Sequence, residues 1–321
     1  MKKITLIILL FSAFACQSPK KLLTSEYINT QITSESITQI IDTLASDYME
    51  GRGFGTEGIE KSAVYIENFL QENNIPPYFD QYRDSFKVWK KDGYNIVGLI
   101  EGKDKELKNE FIILSAHYDH LGIRRNSLDS IANGANDNAT GVSTVLNIAK
   151  YLKKNNINNR SIIVALFSGE EIGLKGSNHF AKKIKNENKN VYCVINIDMI
   201  GSQLTKQAGK VYISGYDKSN MAEVLNNYIG EETITKLDIE DIYGLFRLSD
   251  NYPLYNHLKV PSHTFSTFDF DNYEHYHKVS DEIENVDLQN TVNIIRHISL
   301  AVVKLSVASE KEIELKLKGN L

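Results

Sequence analysis

Apolar segments without polar alternation recur along the middle of the chain, and amphipathic segments lie between them. Three of the apolar runs are EFIILSAH (110–117), SIIVALFSG (161–169) and VYCVINIDMIG (191–201). The segments between them, 139–154 and 174–184, have the apolar spacing of helices. Strands that lack period-two polarity and alternate with helices are typical of a mainly parallel sheet that is buried on both faces. The pattern therefore predicts an α/β fold, a three-layer sandwich with helices on both faces of a mixed, mainly parallel central sheet.

The same periodicities extend this domain in both directions. Helical spacing begins near Ser36, and a second amphipathic helix follows a glycine-rich turn at 50–58. A further strand is predicted at 94–102, and a long C-terminal helix over 286–306. No internal repeat interrupts the order, so residues 36–321 are predicted to form a single domain.

The N-terminal residues have the character of an export signal. Lys2 and Lys3 make a basic start, an apolar run follows over 4–11, and small residues precede Cys16. This order predicts a signal peptide over residues 1–16. The residues before the cysteine resemble a bacterial lipobox, in which the cysteine carries the lipid anchor.

The stretch after the leader, 17–35, is polar and only weakly periodic. We expect it to be a tether between the membrane and the domain. The prediction is an exported protein that Cys16 anchors by lipid to the cell envelope on the periplasmic side. The outer membrane is expected, because Gln17 and Ser18 lack the aspartate of inner-membrane retention.

Composition and charge narrow the possible partners. The formal net charge of −5 argues against a nucleic-acid partner. No apolar run after the leader is long enough to span a bilayer, so the lipid is the sole membrane attachment expected. The second cysteine, Cys193, lies in an apolar run and is predicted to be a small buried residue rather than half of a disulfide with Cys16.

Side chains that bind cations or move protons follow the ends of the predicted strands. They come from separate segments of the chain: His117, Asp119, His120, Asp137, Glu170, Glu171, Asp198, His275, His277 and Asp281. Each alone has an ordinary explanation; Asp137, for example, could cap the helix that follows it. Together they indicate a bound cation, because buried strands rarely end repeatedly in acids unless a positive charge neutralises them. Mixed histidine and carboxylate ligands suit Zn²⁺.

The adjacent pair Glu170 and Glu171 can divide two tasks. In a metal hydrolase, one glutamate binds the metal and its neighbour takes a proton from the attacking water. Repulsion between the two charges is expected to raise the pKa of the unligated carboxylate towards the working pH. The pair therefore favours a metal-dependent hydrolase.

Five motifs occur in a fixed order. They are AHYDHLG (116–122), GANDNATGVS (134–143), FSGEEIGLKGS (167–177), NIDMIG (196–201) and YHKVSD (276–281). Together they resemble the motifs of the M28 family of zinc peptidases, which includes the di-zinc aminopeptidases. The resemblance extends over most of the predicted domain.

This resemblance implies a role for each motif residue. It implies two zinc ions per chain, with His117 and Asp198 on one, Glu171 and His277 on the other, and Asp137 bridging them. Glu170 is implied as the general base and Asp119 as the residue that orients His117. A cis peptide bond between Asp137 and Asn138 is also implied. The implied function is an exopeptidase that removes N-terminal amino acids from peptides with a free N-terminus.

For two roles at this site, the last histidine ligand and the oxyanion donor, the sequence offers more than one residue. His277 stands in the Tyr-His-x-x-x-Asp pattern of the family, whereas His275 does not and is expected at the rim. Asp250 is expected close to the site, in a loop that resembles the family's Ser-Asp loop. Tyr243 and Arg247 are both open as the donor that stabilises the oxyanion.

Three other functions stay open on the sequence alone. Glutaminyl-peptide cyclotransferases share much of the motif set with one zinc ion, although they tend to have tryptophan where this chain has Tyr276. A carboxypeptidase would need a cation for the substrate carboxylate, for which Arg124 and Arg125 are candidates. A metal-free binding protein is disfavoured, because every ligand position is filled.

Overall fold

The computed structural model describes residues 20–124 and 129–316. The predicted leader and Cys16 lie outside the described residues. Ten strands occur: β1 (Arg83–Val88), β2 (Lys91–Ile100), β3 (Glu110–His117), β4 (Gly122–Ile123), β5 (Ile131–Ala132), β6 (Ser161–Phe167), β7 (Asn190–Ile197), β8 (Val211–Ile213), β9 (Ile234–Thr235) and β10 (Ser262–Ser266), in the described ranges. The helices there are α1 (Ser25–Gln31), α2 (Ser34–Leu44), α3 (Glu57–Glu72), α4 (Thr140–Asn155), α5 (Lys175–Asn186), α6 (Met221–Ile229), α7 (Glu240–Tyr243), α8 (Asn251–Leu258) and α9 (Leu288–Val307).

Eight of these strands form one mixed sheet in the order β1-β2-β6-β3-β7-β10-β8-β9. Its centre is parallel, since β3 pairs in parallel with β6 and β7, and β10 pairs in parallel with β7. Antiparallel pairing joins β2 to β6 and β8 to β10. Consequently the carboxyl ends of β6, β3, β7 and β10 lie side by side at one edge of the sheet.

Helices cover both faces of this sheet, which confirms the predicted three-layer α/β fold. Successive residues of β6 alternate between two apolar cores: Ile162 and Val164 join one, and Ile163 joins the other. The larger core includes side chains of α2, α3, α4, α6 and α9, and the smaller one includes side chains of α5 and α8. None of the helices in the described ranges is long and apolar enough to cross a bilayer.

The expectation that 17–35 is a tether is wrong for its described part. Helix α1 packs on α9, and the side chain of Ile28 is fully buried in the larger core. The hydroxyl of Tyr151 in α4 donates a hydrogen bond to the carbonyl of Leu22, at 2.5 Å. Helix α1 was not predicted, because its seven residues are mostly polar and a helix this short shows only one or two apolar positions in the sequence.

Replacing Ile28 by alanine is expected to lower the free energy of unfolding by about 2–5 kcal/mol, because the removed side chain would leave a cavity between α1 and the core. Glu26→Ala, on the exposed face of the same helix, should change it by less than about 0.5 kcal/mol. Urea unfolding of the two variants measures the difference. Equal stability would mean that α1 is not docked in solution.

Candidate metal centre

The neighbouring ends of β6, β3 and β7 deliver the predicted residues to one place. His117 ends β3, Glu170 and Glu171 follow β6, and Asp198 follows β7 directly. Asp137 arrives from the loop before α4, where the peptide bond to Asn138 is cis, as the family resemblance implied. The Asp281 carboxylate holds this loop by accepting hydrogen bonds from the backbone N–H groups of Asn136 and Asp137, at 2.8 and 3.0 Å.

One group of donor atoms is formed by His117, Asp137 and Asp198, which lie within 4.8 Å of one another. The Nε2 atom of His117 is 3.4 Å from Asp137 Oδ1 and 3.3 Å from Asp198 Oδ1. Ser249 steadies the site by donating a 2.6 Å hydrogen bond to the other oxygen of Asp198.

A second group is formed by His120, Asp137 and Glu171, again within 4.8 Å. His277 reaches the same place, with its Nε2 atom 3.3 Å from Asp137 Oδ2 and 3.2 Å from Glu171 Oε2. The structure therefore brings together all five predicted ligands, and Asp137 belongs to both groups.

His120 is a site residue for which the sequence analysis predicted no role. Its Nδ1 atom lies 2.8 Å from Glu171 Oε1, and its side chain is almost completely buried. The available signal was its position three residues after His117, in the same strand-end loop. That loop places the two imidazoles against different carboxylates, His117 against Asp198 and His120 against Glu171.

Replacing His120 by asparagine is expected to weaken zinc binding about 10–100-fold, because Glu171 loses the partner that orients its carboxylate. Competition with a chelator measures this affinity. His275→Asn is the control, since His275 bonds to Ser280 rather than to the ligands. An unchanged affinity in the His120 variant would show that this contact does not support Glu171.

Asp119 acts on the glutamates more than the resemblance implied. The Nδ1 atom of His117 lies 3.1 Å from the backbone carbonyl of Asp119 and 3.9 Å from its carboxylate. That carboxylate instead accepts hydrogen bonds from the backbone N–H groups of Glu170 and Glu171, at 3.2 and 3.3 Å. Asp119 therefore fixes both the imidazole and the glutamate turn.

The environments of the two glutamates shift their pKa values in opposite directions. Burial raises the pKa of Glu170 well above its ordinary value, and Asp250, Asp198 and Glu171 add to the rise. Burial alone would also raise the pKa of Glu171, but hydrogen bonds with His120 and His277 hold it far below its ordinary value. The largest cause at Glu170 is thus burial rather than the expected repulsion between neighbours. Two carboxyl groups with divergent pKa values suit an acid–base residue beside a ligand.

The metal-free chain is expected to lose stability as the pH rises from about 6.5, the ordinary pKa of histidine, to about 10, the pKa of His277 in the folded state. Burial lowers the pKa of His277, but Asp137 and Glu171 outweigh it and raise that pKa to about 10. Burial raises the pKa of Asp119 to about 7. A raised pKa means that the folded state binds the proton more tightly than the unfolded state, so the stabilisation disappears as the pH rises through the folded pKa.

Bound zinc should reverse this trend, because its ligands must be deprotonated and binding strengthens as the pH rises. Melting temperatures with and without buffered zinc, measured across this range, test the prediction. The gap between the two curves should widen with pH, and a His277→Gln variant should show a smaller slope without metal. A metal-free melting temperature that rises with pH would contradict the assignment.

The donor groups open into a cleft of about 410 Å³. Arg247, Leu248 and Tyr276 line it together with the ligands and Glu170, whereas Tyr243 stacks on Phe270, with ring centroids 4.5 Å apart. Of the two candidate oxyanion donors, only Arg247 therefore lines the cleft.

A larger cavity of about 930 Å³, lined in part by His120, adjoins the cleft at Glu171. Asp250 lies nearby in the interior, fully buried, and its pKa is raised to about 6 by burial.

The chemistry of the donor set fits zinc. Imidazole nitrogen and carboxylate oxygen are common zinc ligands, and the clustered acids are buried where a cation would offset their repulsion. His117 and Asp198 would hold one ion and Glu171 and His277 the other, with Asp137 shared.

Comparison with known proteins agrees with this geometry. The model of peptidase family M28 matches residues 95–302, more than half of the chain. Aminopeptidase YwaD of Bacillus subtilis is 26% identical over 226 residues, which are 68% of this chain and 46% of that protein. The chain spans less than half the length of the curated relatives that it matches.

Solved structures share the fold at lower identity. The Legionella pneumophila LapA aminopeptidase superposes with a TM-score of 0.71 at 19% identity, over 97% of this chain and 80% of that one. The glutaminyl cyclase of Fimbriiglobus ruber superposes with a TM-score of 0.63 at 18% identity, over 89% and 95%. These likenesses concern the fold alone. With the family match and the residues that carry it, the chain belongs to peptidase family M28.

Proposed function

We propose that this protein is a zinc-dependent aminopeptidase that removes the N-terminal residue from peptides. The observation that carries the proposal is the pair of donor groups that share Asp137 beside a glutamate, Glu170, outside both groups. A shared carboxylate suits two ions held close together, and a free carboxylate at their edge suits acid–base work.

The chain's own residues then have separate tasks. Glu170 takes a proton from the attacking water and passes it to the leaving amine, for which its raised pKa makes it a stronger base than an ordinary glutamate. Asp119 keeps Glu170 at the cleft by holding its backbone N–H. Arg247 is the candidate donor to the oxygen that gains charge. Zinc, when bound, supplies the Lewis acidity that polarises the scissile carbonyl.

The test uses purified residues 17–321, aminoacyl p-nitroanilides with free or acetylated N-termini, and metal analysis of the same sample. Release from free N-termini alone, sensitive to chelator and accompanied by about two zinc ions per chain, is expected. The panel also ranks the preferred side chains.

Other outcomes would overturn the proposal in different ways. Cyclisation of N-terminal glutamine with about one zinc ion would identify a glutaminyl cyclase, to which the fold is also similar. Release of C-terminal residues from blocked peptides would identify a carboxypeptidase. If the purified protein contains no metal and shows none of these activities, the function would be that of a binding protein.

The location of the protein is part of the same proposal and rests on the sequence. Cys16 is expected to carry lipid after removal of the leader, which anchors the domain to the periplasmic side of the outer membrane. Cys16→Ser should move the protein from the membrane fraction to the soluble fraction. Retention in the membrane fraction would contradict the lipid anchor.

A further inference from the structure

Arg52 lies in an unusual turn between α2 and α3. Glu50, Gly51 and Arg52 all have positive φ, at 50°, 65° and 51°. A Cβ atom on Gly51 would lie 2.4 Å from the carbonyl oxygen of Ala132, so the backbone is pressed against the paired strands β4 and β5. Left-handed residues other than glycine cost free energy and persist where the surroundings demand them. This turn is therefore held in place by what it contacts.

The side chain of Arg52 is only 1% exposed, and each of its five N–H groups faces a backbone carbonyl. The acceptors are the carbonyls of Tyr118, Leu44, Asn133, Gly134 and Asp137. The bonds to Tyr118 and Gly134 are both 2.8 Å, and that to Asp137 is the longest at 3.5 Å. The carbonyl of Arg52 in turn accepts a hydrogen bond from the backbone N–H of His120, at 3.2 Å.

These contacts join two loops that are separate in sequence. Tyr118 and His120 belong to the loop after β3, next to His117. Gly134 and Asp137 belong to the loop before α4. His117 and Asp137 are ligands in the same donor group, and their approach of 3.4 Å depends on how those loops are spaced.

Among the described residues, no carboxylate forms an ion pair with Arg52. Within the described ranges no carboxylate oxygen lies within 4 Å of its guanidinium, although Asp281, Asp137 and Asp119 act on it from further away. Burial lowers the pKa of Arg52 to about 10, so the group stays charged at neutral pH. A buried cation without an ion pair is costly. Its charge acts on Asp137 and Glu171 of the donor groups and so offsets part of the repulsion between their carboxylates.

We propose that Arg52 is a positioning residue of the metal centre, which cross-links the two ligand loops at the spacing that zinc requires. This inference rests on the proposed function for its purpose, but it concerns metal binding and is tested without peptide hydrolysis. The competing explanation is that Arg52 stabilises the fold and has no particular effect on the metal.

Arg160 provides a matched control for that explanation. It too is fully buried, and it donates to the carbonyls of Ala308 and Glu310 and to the carboxylate of Glu110. Glu110 begins β3, so Arg160 lies at the edge of the sheet opposite to the ligands. Replacing it should damage the fold without altering the spacing of the ligand loops.

The experiment compares Arg52→Met, Arg52→Lys and Arg160→Met in the chain of residues 17–321. Zinc affinity is measured by chelator competition, and melting temperatures are measured with and without zinc. Both methionine variants should melt lower without metal. Only Arg52→Met should lose zinc affinity, about 10–100-fold, and gain less melting temperature from added zinc.

Arg52→Lys keeps the positive charge but removes the planar set of donors. It also replaces Arg52→Met in the comparison if the methionine variant does not fold. An ammonium has three donors and cannot span both loops as the planar guanidinium does, so zinc affinity should stay low. Wild-type zinc affinity in Arg52→Lys, or equal affinities in Arg52→Met and Arg160→Met, would overturn the proposal. If the unaltered protein binds zinc but cleaves no peptide, the proposed function fails and the comparison of affinities still stands.

Discussion

Replacing Glu170 by glutamine is expected to lower kcat by about 10²–10⁴-fold while zinc content stays unchanged. Glu170 lines the cleft but belongs to neither donor group, whereas Glu171 supplies a ligand oxygen. Glutamine keeps the shape of the side chain and its backbone bond to Asp119, but it cannot accept the proton. Loss of turnover without loss of metal would therefore assign proton transfer to this carboxylate. Steady-state kinetics and metal analysis of the same preparation measure both quantities.

Two comparisons make this result specific. Glu171→Gln should lose metal affinity as well as activity, because its carboxylate contacts both His120 and His277. Glu223→Gln, on the exposed surface of α6, should behave as the unaltered protein. Full activity in Glu170→Gln would show that another group is the base.

Replacing Asp137 by asparagine is expected to remove both zinc ions, because both donor groups contain its carboxylate. Activity should fall at least as far as in Glu170→Gln. The asparagine keeps the volume of the side chain, and the backbone N–H at this position can still bond to Asp281. Failure to bind zinc would therefore reflect the lost carboxylate rather than a collapsed loop. Metal analysis and isothermal titration with zinc measure the effect.

Asp198→Asn is the variant to compare with Asp137→Asn, since Asp198 belongs to only one of the two donor groups. It should lose about one zinc ion and leave the pair of Glu171 and His277 able to bind the other. If Asp137→Asn still bound about two ions, the bridging assignment would fail. If the two variants lost zinc equally, the two groups would not be separate sites.

Periodicity predicted the architecture well where elements are long and apolar. The segments 110–117 and 161–169 became β3 and β6, and the predicted helix at 139–154 became α4 almost residue for residue. Shorter elements gave weaker signals: β1, β8, β9 and α6 were not predicted. β8 and β9 have three and two residues, too few to define a period, and the six residues of β1 and the nine of α6 carry only two and four buried apolar positions, respectively.

The donor residues were also predictable, because the residues that follow each predicted strand include the histidines and acids that can bind a metal. His117, Glu171 and Asp198 each stand within a few positions of a recognisable strand, and parallel strands end at the same edge. The motifs supplied the rest, since they place His277 and Asp137 in the same set. All five predicted ligands meet in the structure.

The supporting contacts were not predictable in this way. The bond from His120 to Glu171 spans 51 positions in the sequence, and that from Arg52 to Gly134 spans 82. The Asp119 carboxylate was expected on His117 but bonds to the backbone of the glutamate turn. Local patterns contain no information on these distances, which depend on how the loops pack.

By itself, therefore, the sequence determined the α/β class, the family and the residues that can bind metal, because periodicity, motif order and strand-end chemistry are local properties. The tertiary structure alone decided which oxygen each imidazole meets, that His120 bonds to Glu171, and that Arg52 joins the two ligand loops. It also decided that α1 is part of the domain. Each of these depends on the burial and contact of residues remote in the chain, and burial and contact arise only when the whole core is assembled.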